Sequence, residues 1–267
     1  MIDAHIHIEK SPYTLDHIMQ YVNQALTLGL DEINLLEHTH RFKEWAFLYE
    51  DTINSSSQMK QWFDQKELIS IQDYHQFILK IRQLDLPIKV NFGLEVCYFK
   101  EKESFIHQML STFNYDFAIG SVHHVYHLAY DFNPISLEIL WHRYSIDDIY
   151  KTYYNSVKDL IKSHLFTQIG HMDTIKLFNL YPSYDLIPTY HEIADLLIKH
   201  QIIVECNSGC FYRYHHQDLG LNETLLKILI DHGVNIVTSS DAHTYQDVGK
   251  YIKEMSERIK VLKETSR

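Results

Sequence analysis

One alternation constrains this chain more than any other feature. Short apolar, β-branched runs recur along it, and stretches of helical period lie between them. The runs are Ile2 to Ile8, Glu32 to Leu36, Ile88 to Val96, Phe117 to Val122, Phe166 to Gly170, Gln201 to Cys206 and Val234 to Ser239. Helices are predicted over Leu15 to Leu28, with Thr14 or Asp16 as cap and Gly29 as stop, and over Ile71 to Leu84 and Glu101 to Ser111. Four more are predicted over Ile146 to His164, His191 to His200, Glu223 to His232 and Gln246 to Glu264. Strands that alternate with helices imply a parallel sheet with crossover helices. Seven such units in 267 residues suit one closed or nearly closed barrel, with a doubly wound open sheet as the alternative. Arg41 to Gln65 reads as a polar, aromatic, loop-rich insertion, and His124 to Trp141 as loop. No linker, low-complexity tract or internal repeat divides the chain, so residues 1–267 are read as a single domain.

Charge and cysteine usage narrow the function. The formal net charge is -11, which repels nucleic acid and anionic lipid but not a phosphate ester at a metal-lined site. Cys97, Cys206 and Cys210 are an odd number without framework spacing, which disfavours a disulfide scaffold. The N-terminus has no basic segment leading into a long apolar one, and no apolar run is long enough to span a bilayer. A cytoplasmic, reduced protein without membrane or nucleic-acid partners is the simplest expectation.

The chain holds 19 histidines, and their positions matter more than their number. His5-Ile6-His7 lies in the first run, where residues i and i+2 face one side of a strand. The second run leads into Glu37-His38-Thr39-His40, and the third carries Glu95 among apolar neighbours. A carboxylate there is costly to bury unless it is paired or metal-bound. The fourth run ends Val122-His123-His124, the fifth Gly170-His171-Met172-Asp173, and the seventh Ser240-Asp241-Ala242-His243. Each cluster alone fits a solvated loop or a satisfied core histidine. Together they place His, Asp or Glu at the C-terminal end of nearly every predicted strand, the face on which α/β active sites form. Mixed imidazole and carboxylate suits two or three divalent ions such as Zn, Mn or Fe.

HxH, His38, Gly-Leu-Glu at 93–95, Gly-Ser-Val-His-His at 120–124, Gly-His-Met-Asp at 170–173 and Ser-Asp-Ala-His at 240–243, in that order, resemble the PHP (polymerase and histidinol phosphatase) superfamily. Tyr-Asp-Phe at 130–132 brings the likeness nearer to its histidinol-phosphate phosphatases. The resemblance implies a distorted (β/α)7 barrel with a trinuclear site. Carried over by motif, His5, His7, Glu95 and Asp241 would hold one metal. Glu95 would bridge to a second on His123 and His171, and His38 and His243 would hold a third. His40 and His124 sit beside these positions and are read as orienting or substrate contacts. Many relatives carry a further histidine where this chain has Tyr13, with Glu9 or Asp16 as possible substitutes. Lys176 and Arg213 are the nearest candidates for the family's basic phosphate contacts.

The reaction these residues imply is hydrolysis of a phosphate monoester, most specifically L-histidinol phosphate. A metal-bridging hydroxide would attack phosphorus, with Asp241, His243 or His124 as general acid. Trp45 and Trp62 are expected to contribute to the substrate pocket. The alternatives are another PHP phosphoesterase, acting on phosphotyrosine protein or nucleotides, and a non-catalytic metal-binding regulatory module.

Overall fold

A computed structural model describes residues 1–9 and 12–265. The strands are β1 (Ile2–His7), β2 (Glu32–His38), β3 (Lys89–Cys97), β4 (Phe117–Ser121), β5 (His124–Val125), β6 (Leu128–Ala129), β7 (Gln168–Ile169), β8 (Ile203–Asn207) and β9 (Ile236–Ser239). Seven of them form one parallel sheet in the order β1-β2-β3-β4-β7-β8-β9, while β5 and β6 make a small antiparallel hairpin. Every run singled out in the sequence is a strand of that sheet.

The sheet's edges come together. Ile6 and Ala242 form a parallel bridge, His7 N–H donates to the Ala242 carbonyl at 2.7 Å, and Asp241 N–H donates to the His5 carbonyl at 2.9 Å. Lower down, the Thr238 hydroxyl donates to the Ile2 carbonyl, and Asp3 accepts from both the backbone and the hydroxyl of Ser240. A distorted, nearly closed barrel results, rather than an open sheet.

Helices α1 (Leu15–Thr27), α2 (Glu50–Ser55), α3 (Ser57–Asp64), α4 (Ile71–Ile81), α5 (Glu103–Leu110), α6 (Ile146–Lys162), α7 (Ile187–His200), α8 (Gly209–Tyr214), α9 (Glu223–Asp231) and α10 (Ile252–Thr265) accompany the sheet. Caps set several of the boundaries. Thr14, Ser70, Ser145 and Asn222 each accept a first-turn backbone N–H through a side-chain oxygen. Most crossover helices bury one stripe, as α6 does with Ile149, Tyr153, Val157 and Leu160. No helix among the described residues is long and apolar enough to cross a membrane.

Three expectations needed correction. Arg41 to Gln65 is largely helical, made of a 3-10 stretch over Lys43–Tyr49 followed by α2 and α3. His124 to Trp141 holds the β5–β6 hairpin and a π-helical turn at Leu137–Trp141. The last helix begins at Ile252, because a 3-10 turn at Tyr245–Asp247 and Gly249 at φ +77° precede it.

Candidate active site

The C-terminal ends of the barrel strands converge on one cluster. His5 and His7, two apart on β1, present their Nε2 atoms 2.9 Å from each other. His38 ends β2, and His7 lies between His38 and His243, with ring centroids 4.0 and 4.3 Å away and nearly parallel planes. Beyond β9 the chain turns through Asp241 at φ +56°, a conformation that Asp tolerates better than most residues. This turn brings Asp241 Oδ1 to 3.2 Å from His7 Nε2.

Glu95 on β3 is the centre. Its Oε1 lies 2.9 Å from His171 Nε2 and 3.4 Å from His123 Nε2. Its Oε2 lies 2.9 Å from His38 Nε2, 3.5 Å from His7 Nε2 and 3.6 Å from His5 Nε2. Oε2 is buried, yet none of these approaches has the alignment of a hydrogen bond. Lone pairs that converge without hydrogen bonds are what a cation-binding site presents. The groupings follow: His5, His7 and Asp241; His7, His38 and Glu95; Glu95, His123 and His171.

Electrostatics support the same fit. Burial would raise Glu95, but His38, His123 and His5 together hold it well below the usual carboxylate range. Burial likewise works against ionising Asp241, and Arg213, His7 and His5 outweigh it. Burial would lower His38 and His5, but their carboxylate partners lift His38 to about 10 and raise His5 well above the usual imidazole value. Without divalent ions, protons on histidines balance the carboxylates. Ions bound here would displace those protons, as metal binding to such donors does.

Glu9, weighed from sequence as a substitute, reaches the third group. Its Oε1 accepts from His243 Nδ1 at 2.8 Å and its Oε2 from His38 Nδ1 at 3.1 Å. Tyr13 instead stacks on Phe77 and donates to Glu37, while Asp16 is exposed on α1.

Glu205 was missed by sequence reasoning. This fully buried carboxylate on β8 accepts from His5 Nδ1 at 2.9 Å, Gln168 Nε2 at 2.7 Å, Asn207 Nδ2 at 3.0 Å and the Ser239 hydroxyl at 3.1 Å. It thereby fixes the His5 ring with Nε2 turned to the cluster, the arrangement that raises ligand basicity in metal sites. Its signal was the one that revealed Glu95, a carboxylate inside an apolar run.

Above the cluster lies a cleft of about 270 Å³, sized for a small molecule. His40, His124, Arg213 and Trp62 line it, together with Phe63, Phe132, Lys66 and Asp131. Arg213 comes from α8, directly after β8, and its Nη2 donates to Asp241 Oδ2 at 2.6 Å. Gly209 permits that approach, since a Cβ there would lie 2.6 Å from Arg213 Nη2 and 2.8 Å from Asp241 Oδ2. Trp45 is buried in the core and does not line the cleft.

One assignment changes. Lys176 is buried outside the cleft lining, its ammonium donating to Asp173 at 2.7 Å and the Gly220 carbonyl at 2.8 Å, with Asp218 at 3.1 Å. Two hydrogen bonds and an ion pair commit the ammonium to these groups and away from the cleft. Lys176→Met is therefore expected to cost about 3–5 kcal/mol of stability, because it strands buried carboxylates, while KM for a phosphate ester stays unchanged. Thermal unfolding and steady-state kinetics on the same preparation check this. The three proposed proton donors, Asp241, His243 and His124, all line the cleft. Asp241 is held ionised, burial and neighbouring histidines hold His124 down at about 3, and burial lowers His243 despite Glu9.

Residues 3–209 match the PHP domain family. The chain belongs to that family. A probable histidinol-phosphatase of Deinococcus radiodurans is 24% identical over 254 residues, covering 93% of this chain and 88% of its own. A candidate histidinol phosphatase from Listeria monocytogenes superposes with a TM-score of 0.76 at 18% identity, over 94% of this chain and 98% of its own. The histidinol phosphate phosphatase of Lactococcus lactis, solved with zinc, L-histidinol and phosphate, superposes with a TM-score of 0.70 at 20% identity, over 98% and 93%. These structural likenesses bear on the fold. The PHP assignment agrees with the imidazole–carboxylate cluster at the strand ends.

Proposed function

We propose that this chain is a metal-dependent phosphomonoesterase that converts L-histidinol phosphate to L-histidinol and phosphate. The observation that carries the reading is the cleft, whose lining combines the cation-binding cluster with aromatic side chains and the Asp131 carboxylate. The relative from Deinococcus radiodurans, named a probable histidinol-phosphatase and matched over most of both chains, supports the same substrate.

His5, His7, Glu95 and Asp241 would hold one divalent ion, Glu95, His123 and His171 a second, and His38 and His243 with Glu9 a third. Such ions, Zn, Mn or Fe, supply Lewis-acid charge at the phosphoryl oxygens and a nucleophilic water near neutral pH. Arg213, already at this end of the cleft, shares the charge of the phosphoryl oxygens. Trp62, Phe63 and Phe132 exclude water and offer flat faces to an imidazole ring. His40 and His124, both held neutral by burial, line the cleft as hydrogen-bonding groups. Asp131 receives the substrate's ammonium. Apart from its own backbone, no hydrogen bond or ion pair to it is seen among the described residues, and burial lifts its carboxyl to about 6.

Phosphate release from L-histidinol phosphate, p-nitrophenyl phosphate and a phosphotyrosine peptide tests the proposal, on zinc- or manganese-loaded protein with a chelated control. A preference for histidinol phosphate of at least about a hundredfold in kcat/KM, abolished by chelation, is expected; charged contacts of this kind contribute about that much discrimination. Chelator-sensitive activity without the preference would keep the phosphoesterase and discard the substrate. Loaded protein that cleaves none of the three would point to a metal-binding regulatory module.

A further inference from the structure

Each imidazole in the cluster has two nitrogens, and the one turned away from it decides which is bare. For His5 the outer nitrogen, Nδ1, meets the Glu205 carboxylate, and for His38 and His243 it meets Glu9. Among the described residues, His7 and His171 have no hydrogen-bond partner there. His123 differs from all of these, because its Nδ1 lies 3.2 Å from the sulfur of Cys97.

Cys97 is the last residue of β3, two beyond Glu95, and its side chain is buried on the wall of the cleft. The Tyr49 hydroxyl lies beside the thiol and 2.6 Å from Thr39 Oγ1. Tyr49 and Thr39 are both buried. Sulfur and hydroxyl groups can each accept one hydrogen bond and donate another. The thiol can donate to a bare His123 Nδ1, or His123 Nδ1–H can donate to the sulfur. Only the second leaves His123 Nε2 without a proton, and Nε2 is the atom that faces Glu95 Oε1.

We infer that Cys97 is a positioning residue that holds the His123 ring in the Nδ1–H form, so that Nε2 is bare toward the Glu95–His123–His171 group. This rests on the metal-binding reading given above. The partner is a neutral thiol where the other backed imidazoles have carboxylates. Glu95 is the carboxylate of this group, and it is shared with its neighbours. A cation in this group is held by less negative charge than one beside Asp241 or Glu9, and the orientation of His123 matters correspondingly more.

The test is zinc binding by the full-length protein against a graded competing chelator, with no substrate present. The failure of this inference and the failure of the phosphatase reading are thereby separable. Cys97→Ala is expected to weaken one zinc equivalent by about 10–100-fold, the usual cost of losing a group that orients a metal-binding histidine. Cys97→Ser, which keeps an acceptor and donor in nearly the same volume, is expected to restore it to within a few-fold. A second readout is the long-range 1H–15N spectrum of the metal-free protein, with the His123 signal assigned by its loss in His123→Gln. That signal should show a protonated Nδ1 in the parent and in Cys97→Ser, and lose it in Cys97→Ala. Unchanged zinc affinity with an unchanged His123 signal in Cys97→Ala would overturn the inference. Equal losses in the alanine and serine variants would overturn it too, since they would mark simple packing. If the alanine variant fails to fold, Cys97→Val, which fills the space without an acceptor, takes its place under the same criteria.

Discussion

Glu95→Gln is expected to lower kcat/KM by at least about a thousandfold and to release metal from more than one group at once. The change keeps the shape of the side chain and removes one charge. Its effect is large because both oxygens are shared: Oε1 faces His171 and His123, and Oε2 faces His38, His7 and His5. In glutamine one of these oxygens becomes an NH2 that donates, so it faces the imidazole nitrogens with a proton instead of a lone pair. Metal charge at phosphoryl oxygens is worth several kcal/mol, and each 1.36 kcal/mol is a factor of ten in rate. The expected loss is thus about three powers of ten or more. Metal content per chain, measured beside kcat/KM, checks the cause. Full metal content with turnover within tenfold of the parent would mean that Glu95 is not a shared ligand.

Much of this was legible in the sequence, because the physical signals were local. Parallel strands buried on both faces read as apolar runs, so all seven strands of the barrel could be found. Most of the ligand types fall at or near the strand ends, and this is why His5, His7, His38, His123, His171 and Asp241 stood out together, while Glu95 stood out as a carboxylate inside an apolar run. What escaped depends on contacts between distant segments. The helices of the Arg41 to Gln65 segment are short, and their aromatic residues serve two environments: Trp45 faces the core and Trp62 the cleft. No periodicity separates those roles. Lys176 looked like a phosphate contact because it follows the Gly-His-Met-Asp motif, yet Asp218 and the Gly220 carbonyl, more than forty residues away, engage it. Glu205 could have been found, since Ile202-Ile203-Val204-Glu205-Cys206 carries the same buried carboxylate signal as the run around Glu95.

Asp131→Asn separates recognition from chemistry. Asp131 lies on the cleft and belongs to none of the three groups assigned an ion above, so the variant should retain its metals and cleave p-nitrophenyl phosphate at close to the parental rate. Its kcat/KM for L-histidinol phosphate should fall by about 10–150-fold, since a hydrogen bond to a charged group contributes roughly 1.5–3 kcal/mol. The physical ground is the cost of a carboxylate in a poorly solvated place without a partner. Burial raises the Asp131 carboxyl to about 6, so near neutrality it is still mainly ionised and offers its charge to whatever enters the cleft. A cationic amine regains for it the interaction lost with water, whereas a neutral nitrophenyl group does not. Asparagine keeps the shape and removes that difference. The decisive quantity is the ratio of the two kcat/KM values. If it stays within threefold of the parent, the cation is recognised elsewhere. If both values fall together with metal content, Asp131 supports the metal centre and is not a substrate contact.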